Sequence, residues 1–431
     1  YGICNQLRWE TIDALQTSIG GKMTNNYVIY HLHDDKGSLL DSCTKWEEYV
    51  DRASDCGMKA IASTNHGYNL NWTDKKLYAE SKGLKYINGI EAYLTPQLYH
   101  TKINKNGKSE QYKVRDNFHT ILLAKNRYGV EELNNAINKS YDSDHKYYKP
   151  RITFDEFFNL SNDIIKISAC LASPLRCYND KCVDYDSEVY KRLLKFYDYY
   201  EVQYWNSQDQ IEYNQYLYKM SKEYNKPLIM ATDTHSINSY KAECRKILMI
   251  SKGIEFTNED EFDLTFKTYD ELVNALEKQQ SLPREVYMEA IENTNRMTET
   301  IQDFKLNTKS RYPILTGSRE SDAQEYIKHT KSMFKDKVDK GIIPFNEVES
   351  FKKDLKEELS VFKKTDMLGF MLSMSELMCW CKSHGIPIGP SRGSVAGSRC
   401  AFVTDIIDVD SVRWNTVFSR FCNENRVESG D

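Results

Sequence analysis

From Tyr27 to about residue 240, short β-rich runs alternate with helical stretches, and this alternation constrains the fold more than any other feature of the chain. Residues 27–31, 60–63, 86–94, 118–123, 164–168, 200–204 and 228–231 read as strands, rich in β-branched and aromatic side chains. Residues 45–58, 73–82, 128–138, 187–199 and 208–224 read as helices by their 3.6-residue apolar period. Strand–helix alternation at this spacing means βα units, hence an open parallel sheet or a barrel. Seven strands favour the barrel. After Phe266 the alternation stops and polar helices take over, at 269–279, 284–300, 323–340 and 348–364, which places a domain boundary near residue 270. Residues 1–22 look unlike the rest of the chain. Met23, ahead of the first strand, is where a natural start is expected, so 1–22 are read as an unassigned extension, 23–270 as the first domain and 271–431 as the second.

Composition excludes several classes. Hydrophobic residues at 40% and charged residues at 28% fit a folded chain and not a disordered one. No stretch approaches the roughly 18 consecutive apolar residues of a membrane span, and no basic-then-apolar leader is visible. The eleven cysteines, an odd number without a C-x-x-C pair, read as reduced thiols of a cytosolic protein. A net charge of −5 excludes a uniformly basic nucleic-acid coat but leaves room for a local basic groove.

Histidine usage carries the chemistry. Of only nine histidines, His31, His33, His66, His119 and His235 sit at strand ends, joined there by Glu91, Cys170 and Asp233. Residues i and i+2 of a strand share a face, so His31-Leu32-His33 and Asp233-Thr234-His235 each aim two ligand groups at one point. In a parallel barrel the C-terminal strand ends converge on one rim. Imidazole, carboxylate and thiolate are the groups that bind Zn²⁺ or Mn²⁺. A lone His or Cys is more often a satisfied structural residue, and that reading holds for His100, His145, His329 and His384. It fails for the eight strand-end residues, which recur with the βα period.

Six segments then resemble the polymerase and histidinol phosphatase (PHP) superfamily, in particular the PHP domain of bacterial C-family DNA polymerases. They are His31-Leu32-His33, Ser63-Thr64-Asn65-His66-Gly67, Gly89-Ile90-Glu91-Ala92-Tyr93, His119 ahead of Leu122-Leu123-Ala124-Lys125-Asn126, Ser168-Ala169-Cys170-Leu171 and Ala231-Thr232-Asp233-Thr234-His235. The resemblance implies a distorted (βα)7 barrel of the α/β class holding three metals through nine ligands. Eight are the residues above, and the ninth is expected at Asp41. Two departures stand out: the spacing from His33 to Asp41 is one residue longer than usual, with Asp34 and Asp35 intervening, and Asn65 replaces the usual Asp. A complete set implies phosphoester hydrolysis, associated in these polymerases with 3′→5′ proofreading exonuclease activity. The alternatives are a stand-alone metallophosphoesterase such as a histidinol-phosphate phosphatase, and an inert metal-binding scaffold.

The second domain carries a glycine-rich run, His384-Gly-Ile-Pro-Ile-Gly-Pro-Ser-Arg-Gly-Ser-Val-Ala-Gly-Ser398. A short strand leading to a helix that begins near Ser394 would leave backbone N–H groups beside Arg392, an anion-binding arrangement. The run resembles the phosphate-binding motif of the C-family polymerase palm, with Ser391 where glycine is usual. Residues 367–374 and 417–427 resemble the flanking motifs of that palm. The resemblance implies that Arg392, Gly393 and Ser394 meet the triphosphate of an incoming nucleotide, with Arg420 and Arg426 as further phosphate support. The expectation is therefore the N-terminal part of a bacterial or phage DNA polymerase III α-type enzyme, a PHP barrel followed by a mostly helical, incomplete palm. Its partners would be primed DNA, deoxynucleoside triphosphates and other replisome subunits, with Mg²⁺ for polymerisation and Zn²⁺ or Mn²⁺ in the barrel. The family's paired catalytic Asp residues are expected beyond Asp431, so no polymerisation carboxylate is assigned within these residues.

Overall fold

The computed structural model describes residues 26–103, 107–176, 187–254, 262–307, 313–391 and 393–422. The 1–22 extension, Arg392, Arg426 and Asp431 lie outside the described residues. The chain divides into two compact units, Tyr1–Leu306 and Asn307–Asp431.

Among the described residues the first unit contains nine strands: β1 Ala60–Ser63, β2 Lys85–Thr95, β3 Tyr99–Ile103, β4 Ser109–Lys113, β5 Phe118–Ala124, β6 Arg151–Thr153, β7 Ile164–Ile167, β8 Tyr200–Gln203 and β9 Leu228–Ala231. β1 pairs parallel with β2, β2 antiparallel with β5, β5 antiparallel with β7, and β8 parallel with β9. Single bridges close the remaining gaps. Ile29 pairs with Ile61, Leu32 with Thr234, and Ile167 with Tyr199. The ring runs from the 27–33 segment through β1, β2, β5, β7, β8 and β9 and returns to its start through the hydrogen bonds His33 N–H to Thr234 O and Thr234 N–H to His31 O. It has the seven members expected from the sequence. The direction of one differs. β5 runs against its neighbours, so the ring is not all parallel. Among its described residues the connection from β2 to β5 holds the exposed β3–β4 hairpin and no helix, and a parallel neighbour would need a crossover connection.

Alternate residues of the ring build two apolar layers. Val28, Ala60, Ala62, Ile87, Ile121, Leu123, Ile165, Ile167, Ile229 and Ala231 form an inner cluster. Residues of opposite parity, among them Ile29, Ile61, Ile90, Leu122, Val202 and Met230, join Trp46, Leu133, Leu193 and Leu217 of the surrounding helices. Strands buried on both faces are nearly all apolar, which is why β1, β7 and β9 show no polar alternation.

The boundary near residue 270 is corrected. Helix Tyr269–Gln279 buries Leu272 and Leu276 in the outer cluster, and helix Arg284–Glu299 sends Met297 to the inner one, so both helices belong to the barrel unit. The second unit is helical among the described residues, with Arg319–Asp339, Val348–Lys364, Leu368–Ser383 and the short Arg399–Val403 packed around Tyr326, Phe351, Phe362, Leu372 and Val403. No helix among the described residues is long and apolar enough to cross a membrane.

Candidate metal centre

The ring brings all eight strand-end residues to one place. Glu91, in the middle of the long β2, is the hub. Its Oε2 lies 2.8 Å from His66 Nδ1 and 3.4 Å from His33 Nε2, and its Oε1 lies 2.7 Å from His119 Nδ1. Asp233 Oδ1 forms a second hub, 3.1 Å from His31 Nε2, 3.4 Å from His33 Nε2 and 3.2 Å from His235 Nε2. Both expected i, i+2 pairs therefore converge. Cys170 Sγ sits 3.7 Å from Glu91 Oε1 and from His119 Nδ1. The His33 and His235 rings stack at 4.1 Å.

Backbone geometry re-aims two of these residues. Asp233 itself has φ +42°, and Ala169, just before Cys170, has φ +63°. Left-handed non-glycine residues cost about 1–3 kcal/mol each and gather at functional sites. His119 reaches the centre only because β5 is reversed. Its place at the start of that strand becomes the rim where other strands end.

Three groups of donor atoms lie close enough to share an ion: His33, His66 and His235; His31, His33 and Glu91; His66, Glu91 and His119. Despite these close approaches, six buried atoms of the cluster form no hydrogen bond of good geometry, namely His31 Nε2, both ring nitrogens of His33, His66 Nδ1, Glu91 Oε2 and Asp233 Oδ1. Leaving one such group unsatisfied costs about 1–3 kcal/mol. Six in one cluster fit divalent cations.

Charge follows the same geometry. Burial raises the Glu91 carboxyl's pKa, but His119, His66 and His31 outweigh it and hold the group well below the usual carboxylate range. Burial opposes ionisation of Asp233 too, and His31 with its histidine neighbours reverses it. Burial, His235 and His66 keep the His33 imidazole neutral, while Cys170 is held as a thiol by burial and the nearby Glu91 and Asp233.

Asp41 is placed differently from the other eight. It lines the same 640 Å³ pocket, but its carboxylate accepts from Tyr68 Oη at 3.4 Å and, unlike Glu91 and Asp233, makes no ion pair with the histidines among the described residues. Its backbone carbonyl accepts from His235 Nδ1 at 2.6 Å, which fixes the tautomer and turns Nε2 toward Asp233. Asp34 does not enter the centre. It is buried against Lys75 Nζ at 2.6 Å and Ser63 Oγ at 2.9 Å, and Asn65 Nδ2 donates to it at 3.1 Å while accepting its backbone N–H. Asn65, in place of the usual Asp, thus ties the His33 loop to the His66 loop.

One residue escaped the sequence reading. Glu201 on β8 accepts from His31 Nδ1 at 2.9 Å and from Tyr30 Oη at 3.0 Å, and so orients the His31 ring. The signal was present: an acidic residue inside a run otherwise read as a buried strand.

In the second unit no strand leads into the glycine loop. Residues 385–391 are irregular, a 3₁₀ turn spans Gly393–Gly397, and the α-helix starts only at Arg399. That helix start is already filled, because the buried Glu358 carboxylate accepts from Ser398 Oγ, Arg399 N–H and Cys400 N–H at 2.7–2.8 Å. The expected helix N-terminus at Ser394 is thus corrected to a tight turn. Gly393, Ser394 and Arg420 nonetheless line one 510 Å³ cleft. Gly397 has a structural reason, since a Cβ there would lie 2.5 Å from Val417 O.

Residues 30–204 match the PHP domain family, and residues 325–431 match the bacterial DNA polymerase III alpha NTPase domain family. The chain is 31% identical over 422 residues to the DNA polymerase III subunit alpha of Borreliella burgdorferi, covering 94% of this chain and 35% of that protein. It is 28% identical over 430 residues to that of Aquifex aeolicus, covering 95% and 36%. The chain spans about a third of the length of these curated relatives.

Proposed function

We propose that this chain, which matches the PHP domain family over 30–204 and the bacterial DNA polymerase III alpha NTPase domain family over 325–431, is the N-terminal part of a replicative DNA-directed DNA polymerase whose barrel centre hydrolyses phosphodiesters at DNA 3′ ends. The observation that carries the hydrolytic reading is the cluster of buried, unpartnered donors around Glu91 and Asp233. In this reading His31, His33, His66, Glu91, His119, Cys170, Asp233 and His235 hold divalent cations, with Asp41 supplying a ninth ligand from the pocket wall. Bound Zn²⁺ or Mn²⁺ would lower the pKa of a water toward neutrality and neutralise charge on phosphate oxygens. The protein's own part is orientation. Glu201 fixes the His31 ring, the Asp41 carbonyl fixes His235, and the Asp34–Asn65 pair holds two ligand loops in register.

For the second unit, the reading places Gly393, Ser394 and Arg420, with Arg392 and Arg426, against the triphosphate of a deoxynucleotide. The whole enzyme would then use primed DNA, Mg²⁺ and other replisome subunits in the cytoplasm. The test is elemental analysis joined to a nuclease assay. Protein purified without chelator should hold more than one divalent ion per chain, since eight donors exceed the roughly four ligands of a structural zinc site. The Mn²⁺- or Zn²⁺-loaded chain should shorten single-stranded DNA from its 3′ end. Equal degradation by the His31→Ala/His33→Ala double variant would remove the exonuclease reading, and preference for histidinol phosphate over DNA would replace it with a phosphatase.

A further inference from the structure

The pocket over the metal centre has a rim that the hydrolytic chemistry does not use. Lys146, Tyr148 and Lys149 line it, all exposed, on the loop between helix Arg127–Ser140 and β6. Tyr147 N–H donates to Lys149 O at 3.1 Å, closing a tight turn with Tyr148 at its apex. Tyr148 is 82% exposed, yet it has φ +61°, a backbone conformation that bulky residues seldom adopt. A large ring held out in water on a strained turn gains nothing from core packing, and strain of this kind gathers at ligand-binding positions. Tyr147 buttresses it, the two rings meeting edge-on at 4.6 Å.

The charges around this ring suit a polyanion. Lys146 Nζ lies 5.1 Å from the Tyr141 ring centre and Lys149 Nζ 5.2 Å from that of Tyr93, and neither ammonium is paired with a carboxylate among the described residues. Two available cations stand at the rim of this centre in a chain of net charge −5. An exposed aromatic face between cationic groups is the arrangement that holds single-stranded nucleic acid, with bases stacked and phosphates neutralised.

We propose that this rim seats the last nucleotides of a DNA single strand, Tyr148 stacking on a base while Lys146 and Lys149 contact phosphates. The inference rests on the hydrolytic reading for its substrate, but its test needs no turnover. Binding of a fluorescein-labelled single-stranded oligodeoxynucleotide is measured by anisotropy in chelator, so nothing is cleaved. Tyr148→Ala should weaken binding about 5- to 150-fold, the range for losing one base stack, whereas Tyr148→Phe keeps the affinity. An oligonucleotide with abasic 3′-terminal positions should lose affinity for the wild type and lose nothing further with Tyr148→Ala. Lys146→Ala and Lys149→Ala should each lower the slope of log affinity against log salt by about 0.7. Tyr112, exposed on the β4 hairpin strand, serves as control. If Tyr148→Ala binds no more weakly than Tyr112→Ala, or loses equal affinity for abasic and normal strands, the rim proposal fails. DNA hydrolysis by a Tyr148→Ala variant that binds normally would overturn the rim and keep the hydrolytic reading. Rim-dependent binding by a chain that never cleaves DNA would do the reverse.

Discussion

The barrel centre and the glycine loop of the second unit are both read as phosphate-handling sites, yet they are built in opposite ways. In the barrel, residues 31 to 235 meet because a closed ring of strands brings distant ends together, and six of the buried donor atoms it collects form no hydrogen bond. In the second unit the core of the candidate site, residues 392–394, is contiguous in sequence, and a buried carboxylate, Glu358, already satisfies the helix start that follows it. The contrast separates two kinds of site. One is a set of side chains gathered by a rigid frame with several atoms left without hydrogen bonds, and the other is a backbone turn whose neighbouring polar groups are already satisfied.

If that contrast is right, the largest effect should come from breaking the frame. Lys75→Met leaves Asp34 buried without its ion pair, and removing one partner of such a pair costs about 3–5 kcal/mol. Denaturant unfolding should show that loss in the barrel transition and leave the second unit's transition in place. Metal removal should act next. A ligand at about a thousand times its Kd contributes about 4 kcal/mol, so chelation should lower the barrel's Tm and leave that of the second unit unchanged. Equal shifts in both would erase the distinction. Glu201→Gln should weaken metal affinity about 10- to 100-fold by freeing the His31 ring, measured by competition with a chromogenic chelator, whereas His329→Ala, which loses a bond to Ser375 in the second unit, should leave metal content unchanged. Gly397→Ala should be the mildest, about 1–3 kcal/mol in the second unit alone, because its methyl must push Val417 away.

Much of the frame was legible. Helices Gln208–Tyr224, Tyr269–Gln279 and Val348–Lys364 have the ends expected from their periodicity. Some elements escaped because they have no periodic apolar face, and others, such as helix Phe154–Phe158, because they are too short to show one. Helix Ser239–Ser251 buries only Met249, and the β3–β4 hairpin is exposed along nearly its whole length, so neither leaves a pattern to read. The boundary near residue 270 was misplaced for a related reason. A change from βα alternation to helices marks a change of pattern, but Leu272, Leu276 and Met297 continue the barrel's core past it.

The sequence by itself determined eight candidate ligands, and the expectation that His31 with His33, and Asp233 with His235, converge as pairs, because residue type and the two-residue period of a strand are local properties. Tertiary structure alone decided how His119 joins them. Strand direction follows from the connection rather than from the strand, and a reversed β5 brings the start of that strand to the shared rim. It also decided the supporting contacts. Glu201 against His31 and Asn65 against Asp34 acquire their roles from neighbours 170 and 31 residues away, pairings that only the packing of separate strands creates.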